Sequence, residues 1–123
     1  MKRVKLDDMT IEALVERFAE IGIAQDEALF HDQYSKYNRL YDKMVAVDGE
    51  LRRRGIEARR ALGRLYSHPN VQVRLKAASR TLAVFPIEAR QVLQSIYDSK
   101  WYLQSGHAGM TLEALDDGTF KPN

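Results

Sequence analysis

The sequence contains no cysteine among its 123 residues. Disulfide bonds, thiol catalysis and zinc sites built on cysteine are therefore excluded. No apolar run approaches the roughly 20 residues that a helix needs to cross a bilayer. The charged N-terminus, residues 1–8, is not followed by the apolar run that a secretory signal contains. We therefore expect no membrane segment and a location in the cytoplasm.

Proline is also scarce, with three residues in the chain. Two of them, Pro69 and Pro86, fall where one apolar helical pattern stops and the next begins. Proline cannot continue a helix, but it is accepted in the first turn. No stretch alternates apolar and polar residues over a length that would form a strand. These features predict an all-α fold without a sheet.

Apolar spacings of three and four residues predict five main antiparallel helices. Thr10, Asp32 and Asn70 are suitable N-caps for the first, second and fourth of them. Gly55 suits the left-handed position just past the second helix. The predicted ranges are 11–30, with a break near Gly22 as the alternative, then 32–55, 56–66, 71–83 and 86–99.

The C-terminal region is the least regular part of the sequence. Gly106 and Gly109 are interpreted as bracketing a loop, and Thr111 as the cap of a short helix that Gly118 ends. Several apolar residues there predict that the tail packs back as a lid on the last helices: Trp101, Tyr102, Met110, Leu112, Leu115 and Phe120. We interpret the chain as a single domain, 1–123, with a helical pair at 10–55, a repeat region at 56–99 and a capping tail at 100–123.

The middle of the chain is similar to the HEAT and armadillo repeats. The residues that carry this resemblance are Leu62, Leu65, Pro69-Asn70, Val73-Arg74 and Ala77-Ala78. The match is good over 57–84 and partial in the helix after Pro86, and it does not extend to the long N-terminal pair. The resemblance implies HEAT/armadillo-like helical hairpins, with Arg74 making structural contacts inside the repeat.

Nearly the whole chain also resembles a small, uncharacterised bacterial family of domains of unknown function. The motifs are Gln25-Asp26-Glu27-Ala28, Tyr37-Asn38-Arg39-Leu40-Tyr41, His68-Pro69-Asn70 with Val73-Arg74-Leu75, and Ala108-Gly109-Met110 with Phe120-Lys121-Pro122. This resemblance implies a fold and no activity.

Positive charge is concentrated in the middle of the chain. Residues 51–80 carry nine Lys and Arg against one Asp or Glu, whereas the segments on either side are net acidic. Such a block attracts an acidic partner or a polyanion, or else it pairs internally with the acidic N-terminal helices. The candidate surface consists of Arg52, Arg53, Arg54, Arg59, Arg60, Arg64, Lys76 and Arg80.

Three tyrosines, Tyr34, Tyr37 and Tyr41, share one face of the second predicted helix. Tyrosine buries its ring readily while its hydroxyl stays hydrated, so we interpret the three first as core or core margin. The alternative is an exposed aromatic interface of the kind that dominates binding energy.

Catalytic and metal-binding patterns are absent from the sequence. His31, His68 and His107 lie far apart, and none forms the one-turn pair of a helical metal site. Glu12, Glu16 and Glu20 form a ladder that is typical of a solvated helix face. No phosphate-binding glycine loop or nucleophile motif occurs. We expect no enzyme, no cofactor and no metal.

Two functions remain from the sequence. The first is a protein-interaction module that binds an unidentified protein as an adaptor or an immunity-type inhibitor, or that self-associates as a homodimer. The second, less favoured, is binding of nucleic acid or another polyanion through the basic segment. Phosphate contacts require only cations along a surface, and this segment supplies them. An enzyme with an unrecognised site is a distant third.

Overall fold

Helices account for the regular structure of residues 5–123, the part of the chain that the computed structural model describes. The α-helices are α1 (Ile11–Phe30), α2 (Tyr34–Arg53), α3 (Ile56–Arg60), α4 (Val71–Thr81), α5 (Pro86–Ser99) and α6 (Gln104–Asp117). Short 3-10 helices cover Leu6–Asp8 and Ala61–Ser67. No strand occurs within residues 5–123, so the predicted all-α fold is confirmed. The first half of the segment used to argue against a secretory signal lies outside the described residues.

The chain divides into two compact units between Leu62 and Gly63. The N-terminal unit contains α1, α2 and α3, and the C-terminal unit contains α4, α5 and α6. The prediction of a single domain, and the likeness of its middle part to HEAT repeats, stay predictions.

In the N-terminal unit, α1 and α2 pack side by side along their length. Because only three residues connect these two 20-residue helices, they run antiparallel, as predicted. The Thr10 hydroxyl caps α1 by accepting a hydrogen bond from the Ala13 N–H at 3.0 Å. The helix continues without a break through Gly22, which is buried. The prediction of one continuous first helix is confirmed.

The predicted start of the second helix is wrong by two residues. Asp32 is not its N-cap, because its backbone lies in the left-handed region at φ 56° and α2 begins only at Tyr34. The Asp32 carboxylate instead accepts a hydrogen bond from the Tyr34 hydroxyl at 3.0 Å. Aspartate is one of the few residues besides glycine that visit this conformation readily. At the other end, Gly55 lies just past the helix at φ 110°, as predicted.

The predicted third helix is correct only in its first half. The α-helix stops at Arg60, and the chain tightens into the 3-10 helix Ala61–Ser67. Apolar residues at three- and four-residue spacing suit both kinds of helix. The apolar pattern therefore located a helical segment without distinguishing the two types.

In the C-terminal unit, α5 packs against both α4 and α6. Asn70 caps α4 as predicted, since its side-chain oxygen accepts hydrogen bonds from the N–H groups of Gln72 (2.9 Å) and Val73 (3.2 Å). Pro86 occupies the first turn of α5, also as predicted. The helix α4 ends at Thr81, two residues before the predicted end. The core of this unit consists of Val71, Leu75, Ala78, Leu82, Ala89, Leu93, Ile96, Ala108 and Leu112.

The predicted loop between Gly106 and Gly109 is wrong, because both glycines lie inside α6. A Cβ atom at position 109 would stand 2.8 Å from the ring of Tyr97, so this glycine permits close approach of α5 and α6. Thr111 is not a cap but an interior residue whose hydroxyl donates to the His107 carbonyl at 3.0 Å. Gly118 ends the helix at φ 80°, as predicted.

The predicted C-terminal lid is only partly present. Leu112 is buried, and Leu115 packs partly buried against the same core. Four aromatic or long apolar residues assigned to the lid are instead exposed, namely Trp101, Tyr102, Met110 and Phe120. The lid prediction is wrong for these four.

Substitution by alanine is expected to change the free energy of unfolding differently at two helix glycines, Gly49 and Gly109. A Cβ at Gly49, inside α2, meets no atom within 4 Å, so Gly49→Ala should raise the free energy of unfolding by about 0.5–1 kcal/mol. Gly109→Ala should leave the protein less stable than the Gly49 variant by about 1 kcal/mol, because the Tyr97 ring must move. Urea unfolding of both variants measures the difference, and equal stabilisation would contradict the close approach of α5 and α6.

Candidate interaction surfaces

The tyrosines of α2 lie on the outside of the N-terminal unit. Tyr34 is 62% exposed and Tyr41 is 41% exposed, so their interpretation as core or core margin is wrong. Tyr37 is partly buried, in agreement with core margin. From Tyr34 to Lys43 no residue is buried. The buried residues of α2 come later, at Met44, Val47, Asp48 and Leu51. The first half of this helix therefore presents aromatic side chains to solvent.

Further apolar residues extend this exposed region. Ile23 and Phe30 of α1 are exposed, and Phe30 is 84% exposed. They lie two turns apart on one side of α1, as Tyr34 and Tyr41 do on α2. In an antiparallel hairpin, residues equally far from the turn lie at the same height. Phe30 is therefore level with Tyr34, and Ile23 is level with Tyr41. We call Ile23, Phe30, Tyr34, Tyr41 and the exposed Val45 the hairpin apolar surface.

Carboxylates border the hairpin apolar surface on α1. Glu16, Glu20 and Glu27 are exposed, and each lies three, four or seven residues from Ile23, which places them on the same side of the helix. The exposed side chains of Glu16 and Glu20 agree with their prediction as part of a solvated ladder. The surface therefore has an aromatic centre and a negative border on α1, whereas α2 contributes the exposed cations Lys36, Arg39 and Lys43.

The arginine run at the end of α2 is engaged within the N-terminal unit. Arg52 donates to Asp48 at 3.0 Å, and Arg53 donates to both oxygens of Glu50 at 3.1 and 2.6 Å. Arg54 donates to Glu50 at 2.7 Å and to the backbone carbonyl oxygen of Leu6 at 3.0 Å. The hydrogen bonds from Arg53 and Arg54 lower the pKa of Glu50 to about 2. These three arginines pair with carboxylates of α2, in agreement with the interpretation that the basic block pairs internally.

The other five residues of the predicted basic surface differ in their surroundings. Arg59 is only 9% exposed, and its burial lowers the pKa of its guanidinium. Arg60 lies 3.9 Å from Glu57, and Arg64 is exposed. Lys76 and Arg80 are partly buried. Five of the eight residues belong to the N-terminal unit, and Arg64, Lys76 and Arg80 belong to the C-terminal unit.

Lys76 lines a small cleft of 220 Å³ together with His107. Burial, and secondarily the charge of Lys76, lower the pKa of His107, so its imidazole is neutral at pH 7. The hydroxyl of Ser79, which also lines this cleft, donates to the carbonyl of Leu75 at 2.8 Å. This arrangement does not supply a nucleophile paired with a base.

Arg74 makes the structural contacts that the repeat resemblance implies. Its Nη1 donates to the carbonyl oxygens of His68 at 2.7 Å and Pro69 at 3.1 Å. The His68 ring accepts a hydrogen bond from the Asn70 N–H at 3.0 Å. Both side chains therefore stabilise the turn that enters α4.

Sequence reasoning missed an open groove between α5 and α6. The groove has a volume of about 670 Å³ and is lined by Gln94, Tyr97, Gly106, Gly109, Met110, Leu112, Glu113, Asp116 and Asp117. Its α6 residues recur at three- and four-residue spacing, a signal that was available in the sequence. The interpretation of Gly106 and Gly109 as loop residues concealed it.

The described residues, 5–123, contain neither a metal-binding cluster nor a membrane-spanning helix. No group of three or more His, Asp or Glu is placed to hold a metal ion within this range. None of the helices in the same range is long and apolar enough to span a membrane.

Comparison with known proteins finds one bacterial structure and one family model that match this chain. It is similar to the crystal structure of the protein RPA1889 from Rhodopseudomonas palustris CGA009, with 48% sequence identity and a TM-score of 0.94. The alignment covers 98% of this chain and 100% of that one. Residues 12–116 match the model of a domain of unknown function, DUF2019. A search of curated proteins finds no match.

Proposed function

The chain belongs to the DUF2019 family of domains of unknown function, and we propose that it acts in the cytoplasm by binding another protein rather than by catalysis. The observation that supports this proposal most is the hairpin apolar surface. Contiguous exposed apolar residues on a folded protein mark interaction sites. Tyrosine is among the residues that contribute most binding energy at protein interfaces.

The border of the hairpin apolar surface indicates the chemistry of the partner. Glu16, Glu20 and Glu27 border the α1 part of the surface with negative charge, whereas exposed Lys36, Arg39 and Lys43 lie on α2. Complementary charge steers association and disfavours wrong partners. We therefore propose a partner surface with apolar side chains at its centre and with Lys or Arg at the edge that faces α1.

The test is a comparison of tyrosine variants in binding a partner isolated from the native cell. The partner co-purified with the wild-type chain is identified, purified and titrated against the Tyr34→Ser/Tyr41→Ser double variant. We expect the dissociation constant to rise at least about tenfold, as for two interface hot spots. Circular dichroism checks that the double variant is folded.

Tyr102→Ser provides the matched control, because Tyr102 is also exposed but lies in the C-terminal unit. This variant should bind the partner as the wild type does. Unchanged affinity of the Tyr34→Ser/Tyr41→Ser variant would overturn the assignment of the hairpin apolar surface. If the wild type sediments as a dimer and the Tyr34→Ser/Tyr41→Ser variant as a monomer, the partner is a second copy of this chain and not another protein.

The polyanion alternative has a separate test. Arg52, Arg53 and Arg54 are engaged with Asp48 and Glu50, and Arg59 is buried. We therefore propose that the basic segment does not bind nucleic acid. Titration of duplex and single-stranded DNA and RNA at two salt concentrations should show no salt-sensitive binding. Affinity that falls steeply with salt would instead favour this alternative.

A further inference from the structure

The groove between α5 and α6 combines an apolar floor with charge of one sign. Met110, which is 69% exposed, and the ring of Tyr97 provide apolar surface. Gly106 contributes no side chain, and a Cβ at this position would meet no atom within 4 Å. A groove thus follows the exposed backbone of α6 for its first turns.

Carboxylates occupy the far end of the same groove. Glu113, Asp116 and Asp117 line it one to two turns beyond Gly109. Asp116 is paired with Arg90, and the Thr119 hydroxyl and N–H donate to Asp117 at 2.7 and 2.9 Å. These hydrogen bonds lower the pKa of Asp117 from its ordinary value.

We propose that this groove binds a cationic amphipathic peptide segment of another protein. An apolar side chain of the segment lies over Gly106 and Met110, and Lys or Arg side chains reach Glu113 and Asp117. From Gly109, positions 113 and 117 are about 6 and 12 Å along the helix. A helical segment with a leucine followed by arginines four and eight residues later reproduces this spacing.

The charge on the groove selects this occupant over others. A nucleic acid would bring phosphates against Glu113, Asp116 and Asp117, so it is disfavoured. The groove lies in the C-terminal unit and the hairpin apolar surface in the N-terminal unit, so the two proposals rest on different residues. Failure of either proposal leaves the other standing.

The test uses fluorescence polarisation with a labelled helical peptide. The peptide carries leucine and arginine at the stated spacing with alanine elsewhere, and a second peptide carries glutamate in place of arginine. We expect the arginine peptide to bind the full chain and the glutamate peptide to bind at least about fivefold more weakly. Equal binding of the two peptides, or no binding of the arginine peptide, would overturn the proposal.

Variants of the protein locate the binding. Glu113→Gln/Asp117→Asn should weaken the arginine peptide at least about fivefold. The control Asp8→Asn/Glu57→Gln makes the same charge change at two exposed positions outside both proposed surfaces and should bind it as the wild type does. Equal weakening by both double variants would reduce the effect to net charge and overturn the site.

A further variant tests the floor of the groove. Gly106→Leu places a side chain in open space, so the variant should fold and yet lose most binding of the arginine peptide. Wild-type affinity in this variant would show that the peptide lies elsewhere. Sedimentation at the titration concentrations tests whether a second copy of the chain occupies the groove instead. If the wild type is a dimer and Gly106→Leu dissociates it, the ligand is a second copy and the peptide proposal is overturned.

Discussion

Leu93→Ala is expected to lower the free energy of unfolding by about 2–5 kcal/mol, because a buried leucine leaves a cavity that the surroundings fill only partly. Leu93 is 0% exposed at the centre of α5. It belongs to the core that α4, α5 and α6 share. No polar group is introduced, so the loss comes from transfer of the side chain and from the cavity.

Ile87→Ala provides the control on the same helix. Ile87 is 68% exposed, so its truncation should change the free energy of unfolding by less than about 0.5 kcal/mol. Urea unfolding followed by circular dichroism and by Trp101 fluorescence measures both variants. A loss for Ile87→Ala as large as that for Leu93→Ala would contradict the assignment of the buried face of α5.

Gln104→Leu should cost about 1–3 kcal/mol of stability, because it removes a hydrogen bond between two buried side chains. The Gln104 amide nitrogen donates to the Gln72 side-chain oxygen at 3.0 Å, and both side chains are buried. Gln72 is in the first turn of α4, and Gln104 is the first residue of α6. The hydrogen bond therefore joins the starts of α4 and α6 through two residues that are 32 positions apart in sequence.

A double-mutant cycle separates the bond from the other effects of each substitution. Gln72→Leu, Gln104→Leu and the double variant are compared by urea unfolding. The double variant should lose less than the sum of the single losses, with a coupling of at least about 0.5 kcal/mol. Strict additivity would mean that the two amides do not depend on each other.

Features confined to one helix were predictable. Thr10 and Asn70 cap as expected because a cap depends only on the next three residues. Gly55, Pro86 and Gly118 mark helix boundaries for equally local reasons. The errors in local structure lie at Asp32, in the 3-10 segment after Arg60, and at Gly106, Gly109 and Thr111 inside α6. The first two arose where two backbone conformations suit the same side chains.

The candidate surfaces were predictable only in part. The stripe of Tyr34, Tyr37 and Tyr41 was evident from spacing, but spacing does not reveal whether another helix covers a stripe. The groove was not predicted, because it depends on Tyr97 of α5 lying close to Gly109 of α6, and spacing within one helix does not reveal a contact with another. The arginine run was located correctly as a charge block, whereas its pairing with Asp48 and Glu50 depended on rotamers and helix position.

The amino-acid sequence by itself determined where α1 to α5 lie, because caps, prolines and apolar periodicity act over a few residues, but it did not reveal the full length of α6. Tertiary structure decided which helix faces are covered, because that depends on partners distant in the chain. It buried Gln72 and Gln104 against each other and left Tyr34 and Tyr41 exposed. A polar side chain becomes a core residue only when its hydrogen-bonding partner is brought to it, and an aromatic stripe becomes a binding surface only when no helix covers it.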